Sequence, residues 1–226
     1  MDRPCTTRGR SQDGLTLIEL LVAIFIAGVL SALLVMTWIS LSNSYSMTSR
    51  ASQSGELARD AVSRLAREIR DAEPYEGNPA VQRFDAQEGK YIDFTTTFNQ
   101  VNNAQPLPVP VLTRYIYEIN EVTGGQSLHR VRYSATGTVT RNDVVIRDLK
   151  NYVKQEGSWV PAGADTVPFR FMYLNPVTRE PIEATEGTPP KYISLVRIHL
   201  LVQMLGRQPR PTDLVTTVQL RNQNPY

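Results

Sequence analysis

The sequence predicts an α+β chain, a long N-terminal helix packed on an antiparallel β-sheet domain. Three observations predict it. Between Asp13 and Arg50 the only charged residue is Glu19. From Leu57 to Ile69 apolar residues return at helical spacing. Beyond Pro74 the pattern changes to short runs of β-branched and aromatic residues. Fourteen of the fifteen prolines lie at or after Pro74, so sustained helix is expected only before it.

The apolar segment comes first. Leu15 to Leu41 reads LTLIELLVAIFIAGVLSALLVMTWISL. Roughly 20 apolar residues cross a bilayer as a helix, and Leu20 to Ile39 supplies that length without a charge. A buried helix of a soluble protein would keep a polar stripe, and this one has none. Arg3, Arg8 and Arg10 precede it. Positive charge stays on the cytoplasmic side, so the chain is expected to run from inside to outside, with Arg50 onward beyond the membrane. A secretory signal peptide is the competing reading. Its apolar region is usually about 7–15 residues and ends in a small-x-small site. Here the run is longer, and Leu30-Ser31-Ala32 has leucine where a small residue is wanted.

Glu19 stands inside this run. An ionised group at mid-membrane costs about 2.5–3.5 kcal/mol, so it is expected to snorkel or to have a partner. If the chain is cut between Gly14 and Leu15, Leu15 gains an α-amine one helical turn from Glu19. A carboxylate also suits the positive end of a helix dipole. In a packed assembly, Glu19 would neutralise the amine of its own or a neighbouring copy.

Gly14-Leu15-Thr16-Leu17-Ile18-Glu19-Leu20-Leu21-Val22-Ala23 behind a short basic leader closely resembles the type IV prepilin and type II secretion pseudopilin processing motif. The resemblance implies cleavage after Gly14 by a prepilin peptidase, methylation of the new Leu15 amine, and assembly dependent on Glu19. The first mature residue of the family is commonly Phe, and here it is Leu15. The implied partners are that peptidase, other minor and major pilins or pseudopilins, an inner-membrane assembly platform, and the lipid bilayer before assembly. The implied place is the bacterial inner membrane, single-pass, with the leader cytoplasmic and the C-terminal part periplasmic, and then a filament. An adhesion or twitching pilus, a DNA-uptake pilus and a secretion pseudopilus all remain compatible with it.

The domains expected are therefore a leader over 1–14, a transmembrane and assembly helix over 15–41, its amphipathic continuation over 42–73, and a β-rich domain over 74–226. Leu57, Ala58, Ala61, Val62, Leu65, Ala66 and Ile69 form the apolar stripe of the continuation. Asp60 with Arg64, Arg64 with Glu68, and Arg67 with Asp71 make i,i+4 pairs expected on the exposed side. Ser40 to Ser54 is serine-rich and Gly55 follows, so a bend or frayed turn is expected there.

Strands are predicted at Tyr91–Phe94, Leu112–Ile119, Ser127–Tyr133, Val144–Leu149, Phe169–Leu174, Tyr192–Met204 and Leu214–Leu220. Gly124-Gly125 predicts a hairpin. Residues 99–110 and 175–190 read as Pro-rich loops. The order of the last three strands, over residues 110–222, loosely resembles W-type minor pilins and the J-type minor pseudopilin, which implies a minor subunit that initiates or caps a filament.

Composition narrows the functional classes. At 226 residues, 41% hydrophobic and 20% charged, the chain suffices for one domain and an appendage. A net charge of +2 does not indicate nucleic-acid binding. Cys5, the single cysteine, excludes an intrachain disulfide, and no apolar run precedes it as a lipidation site requires. No catalytic motif is present, so no enzyme and no cofactor are expected. His129 and His199 fall in predicted strands and read as structural histidines. Glu180, Glu183 and Glu186 share one loop without the ligand spacing of a calcium site, and no metal is expected there. Arg207 and Arg210 flank Pro209 in a segment expected to be solvated. A signal-anchored extracytoplasmic enzyme or binding domain, unrelated to filaments, is the alternative functional class.

Overall fold

The uncharged run and the stripe behind it form one helix, α1 (Leu17–Arg70), in the computed structural model, which describes residues 16–97, 109–163, 165–203 and 211–221. The chain divides into two compact units, residues 1–48 and 49–226. The boundary falls within the serine-rich stretch.

In the first unit every described side chain from Thr16 to Thr48 is exposed, Phe25 and Trp38 included. This part of α1 is long and apolar enough to cross a membrane. An apolar surface of that extent calls for lipid or protein around it. Of the expected bend or frayed turn, the fraying is not seen, since helical structure runs through residues 40–55. Hydroxyl groups that would compete with the helix are turned onto its own carbonyls. Ser46 donates to Asn43 O at 2.9 Å and Thr48 to Ser44 O at 2.9 Å.

In the second unit, Ala58, Val62, Leu65, Ala66 and Ile69 are buried as one stripe. Leu57, expected in that stripe, is 72% exposed, and Ala61 is half-buried. The helix ends at Arg70 rather than Glu73. Its final carbonyl accepts from Arg221 N at 3.2 Å, and Glu73 N is drawn to Thr95 O at 2.9 Å. The chain has thus joined a strand before it reaches Pro74.

Eleven strands are seen among the described residues, in three antiparallel sheets. The first is a meander of β1 (Val81–Phe84), β2 (Tyr91–Thr96), β3 (Val111–Ile119), β4 (Gln126–Tyr133) and β5 (Val139–Ile146), ordered β1-β2-β3-β4-β5. The second contains β8 (Phe169–Leu174), β9 (Pro181–Glu183), β10 (Leu195–Val202) and β11 (Thr212–Gln219), ordered β11-β10-β8-β9. Between them lies the hairpin of β6 (Tyr152–Gln155) and β7 (Ser158–Pro161).

The alternation in β3 buries Thr113, Tyr115 and Tyr117 on one face. Leu65 and Ile69 of α1, with Ala72 just beyond its end, join Ile92, Phe94, Tyr115 and Leu128 of the first sheet in one core. Phe171, Val196, Ile198 and Val218 of the second sheet belong to the same core. Gly89 sits where the turn before β2 meets β8. A Cβ there would lie 2.2 Å from Phe169 O, and its φ of +61° already favours glycine.

Most predicted strands are present, and the differences have physical causes. The hairpin at Gly124-Gly125 connects β3 to β4, with Gly124 at φ +68° and Asn120 N bonded to Gly125 O at 2.8 Å. β5 begins at Val139, five residues before the predicted start. Its Thr-Arg-Asn-Asp section is polar and carries no alternation, yet it pairs with β4 through the turn at Ser134–Thr138. It stops short of Leu149, because Asp148 adopts φ +57°. β9 occupies part of the predicted loop 175–190. β1 and the β6–β7 hairpin were not expected. Their strands are short, although Glu156-Gly157, both at positive φ, is the kind of two-residue turn that closes a hairpin.

Candidate functional site

The helix start is built from local chemistry. Thr16 precedes the first helical residue and Glu19 is the third residue of α1. The Glu19 carboxylate accepts from Thr16 N at 3.0 Å and from Thr16 Oγ1 at 2.9 Å, both on Oε2. In return Glu19 N points at Thr16 Oγ1, at 3.4 Å. This reciprocal arrangement is a capping box, which satisfies amide donors that a helix start leaves without partners. The signal for it, Thr-x-x-Glu before an apolar run, stands in the sequence, yet Thr16 was not among the residues predicted to matter. Gly14 and Leu15 lie outside the described residues, as do Cys5, Arg207 and Arg210.

A second carboxylate on α1 contradicts its sequence reading. Glu68, expected on the solvent side beside Arg64, is fully buried. Its Oε2 accepts from Tyr115 Oη at 2.7 Å, and its Oε1 from Arg130 Nη1 at 2.7 Å. Arg64 reaches the same Oε1 at 3.5 Å, so the i,i+4 pair exists but is turned inward. Arg130 continues to Asp143 on β5 at 2.9 Å, and Asp143 to Arg141. Helix, β3, β4 and β5 are thus joined through charged hydrogen bonds. Burial first, and Glu68 second, push the Tyr115 hydroxyl well above the ordinary tyrosine range. The two guanidinium hydrogen bonds hold the Asp143 carboxyl below its ordinary value.

Both histidines have partners. His199, nearly buried on β10, places Nδ1 2.5 Å from Asp165 O and Nε2 2.5 Å from the Asp213 carboxylate. His129 lies between Ser127 Oγ at 2.9 Å and Asn142 Oδ1 at 3.3 Å. That Ser-His-Asn line sits on an interior strand, whose backbone N–H groups are engaged by β3 and β5. An oxyanion site needs such donors uncommitted, so the line reads as cross-strand pairing. Of the acidic loop, Glu183 lies on β9, 3.7 Å from Arg170. Among the described residues no group of three or more His, Cys, Asp or Glu side chains is gathered as for a metal.

Residues 9–35 match the family model described as the prokaryotic N-terminal methylation motif. The match contains Gly14, Leu15, Thr16 and Glu19, and it supports a pilin or pseudopilin type of protein. No curated protein matches the chain.

Proposed function

We propose that the protein is a minor pilin or pseudopilin, a structural subunit that helps initiate or cap a type IV pilus or a type II secretion pseudopilus. The observation that carries this reading is the helix start. One carboxylate, in an apolar helix whose side chains are all exposed over residues 16–48, is aimed back at the N-terminus by the Thr16 capping box. Both contacts use Oε2. The other oxygen is then available to an α-amine. Cleavage between Gly14 and Leu15 by a prepilin peptidase creates that amine, and methylation at Leu15 keeps it basic. Paired with Glu19 of its own or a neighbouring copy, it makes the burial of both charges in a helical filament tolerable. The exposed face of the same helix packs against lipid before assembly and against other helices after it.

Glu19→Ala and Glu19→Leu test this. Insertion is expected to proceed, because removing a carboxylate from an apolar run lowers the cost of entering lipid. Processing is expected to persist, since Gly14 and the leader are untouched. Association with neighbouring subunits, read by crosslinking in membranes against total protein level, is expected to fall. A buried amine without its counter-charge is costly. Glu19→Asp is expected to fall between. Association at the wild-type level in all three variants would remove Glu19 as the assembly contact.

A further inference from the structure

The arginine cluster beside Glu68 carries more positive charge than its own carboxylates balance. Among the described residues, the carboxylates that Arg64, Arg130, Arg132 and Arg141 meet are those of Glu68 and Asp143. Glu68 is already committed at 2.7 Å to Arg130 and at 2.7 Å to Tyr115, so Arg132 approaches it no closer than 4.0 Å. Arg141 stands directly opposite Arg132 across the β4–β5 ladder. Like charges so placed destabilise a sheet. Arg132 is also poorly hydrated, its side chain only 18% exposed. On its other flank is Thr113, its partner across β3 and β4. Among the described residues, Thr113 Oγ1, Arg130 Nε and Arg132 Nε, all buried, find no hydrogen-bond partner.

These groups are neighbours on the helix-facing side of the sheet. Arg141, 62% exposed, and Arg64, 47% exposed, open the cluster to solvent. Burial and the neighbouring Arg130 both push the Arg132 guanidinium below its ordinary value, in agreement with a cation lacking a full counter-charge. An ammonium would be solvated at such a site, whereas a guanidinium presents a planar fork suited to a carboxylate.

We propose that Arg132, flanked by Arg64 and Arg141, is the receiving site for a carboxylate on an acidic segment of a neighbouring subunit. The identity of that partner as a filament subunit rests on the function proposed above; the acid-binding site itself does not. In the unassembled subunit the cluster is a local cost, and docking of the acid relieves it.

The test uses the full-length protein in detergent micelles, with hexaglutamate as the probe and chloride at matched ionic strength as the control. Arg132→Gln is expected to raise the melting temperature of the unliganded protein by about 2–4 °C, since it removes an under-compensated cation. Hexaglutamate is expected to raise the melting temperature of the wild type and to leave Arg132→Gln unchanged. Arg141→Gln, at an exposed position, folds whatever the role of Arg132 and is expected to weaken the hexaglutamate effect. In membranes, Arg132→Gln is expected to reduce crosslinking to neighbouring subunits. A lower melting temperature in Arg132→Gln would make Arg132 a structural contact and overturn the proposal. So would a hexaglutamate effect that survives Arg132→Gln, or wild-type crosslinking in that variant. If the N-terminus proves unprocessed while both melting results hold, the filament reading falls and the acid-binding site stands.

Discussion

Glu19 and Glu68 sit on one helix and are held in opposite ways. Glu19 is exposed and satisfied by its own first turn, whereas Glu68 is buried and satisfied by the sheet. Removing one partner of a buried pair leaves the other charge uncompensated, at a cost of about 3–5 kcal/mol. Glu68→Leu is therefore expected to lower stability by about that amount, measured as the urea midpoint of the detergent-extracted protein. Glu68→Leu combined with Arg130→Met and Tyr115→Phe removes the buried charges and the hydroxyl together. It is expected to recover most of the loss, because an apolar replacement of a whole buried pair is often neutral. A triple variant no more stable than Glu68→Leu would show that the network fixes the helix on the sheet in a way apolar packing cannot replace. The two residues also differ in legibility. Glu19 stands out as a lone carboxylate in an uncharged run. Glu68 follows Arg64 at i+4 spacing, which suggests a solvated pair, and its true partners, Tyr115 and Arg130, are distant in sequence.

At the scale of elements, the strands with strong alternation were legible and the weakly patterned ones were not. β8 begins and ends where its aromatic alternation does, at Phe169 and Leu174. β5 was misplaced because tertiary pairing, rather than pattern, decides where a polar edge strand starts. The join between the sheets was also hidden, since it is made by amides. Gln126 Nε2 donates to Tyr152 O at 2.7 Å, and its Oε1 accepts from Tyr152 N at 3.0 Å and from the Tyr117 hydroxyl. Asn151, fully buried, bonds His199 O at 2.7 Å and Leu201 N at 3.0 Å, mimicking a strand beside β10. Nothing in the sequence separates such amides from loop residues. Burial pushes the Tyr117 and Tyr152 hydroxyls at this junction well above their ordinary value. Because the folded values are raised, the stability they contribute is complete below about pH 10, the unfolded tyrosine value, and is lost as pH rises beyond it. Melting temperature is expected to be flat from neutral to mildly alkaline pH with respect to these groups and to fall above about pH 10. Tyr152→Phe is expected to make that fall shallower. An unchanged alkaline slope in Tyr152→Phe would show that this phenol does not carry the effect.

Across the whole molecule, sequence and structure agree on division of labour. Residues 16–48 expose an apolar helix that calls for an environment, and the second unit buries its own core against two sheets. The α+β class was readable because Pro74 and the change from helical to alternating periodicity mark the transition. The site was readable in part, since the motif residues are contiguous, whereas the arginine cluster is assembled from α1, β4 and β5. The proposed assembly through Glu19 requires that the apolar helix be released from its leader, so that an amine and Glu19 stand together at its start. Intact-mass analysis with N-terminal sequencing, on protein extracted from membranes of a host carrying a prepilin peptidase, tests this most directly. The result predicted is a chain beginning at Leu15, lacking residues 1–14 and carrying one added methyl group. A chain that retains Met1 in such a host, or one that begins beyond Ala32, would contradict the account.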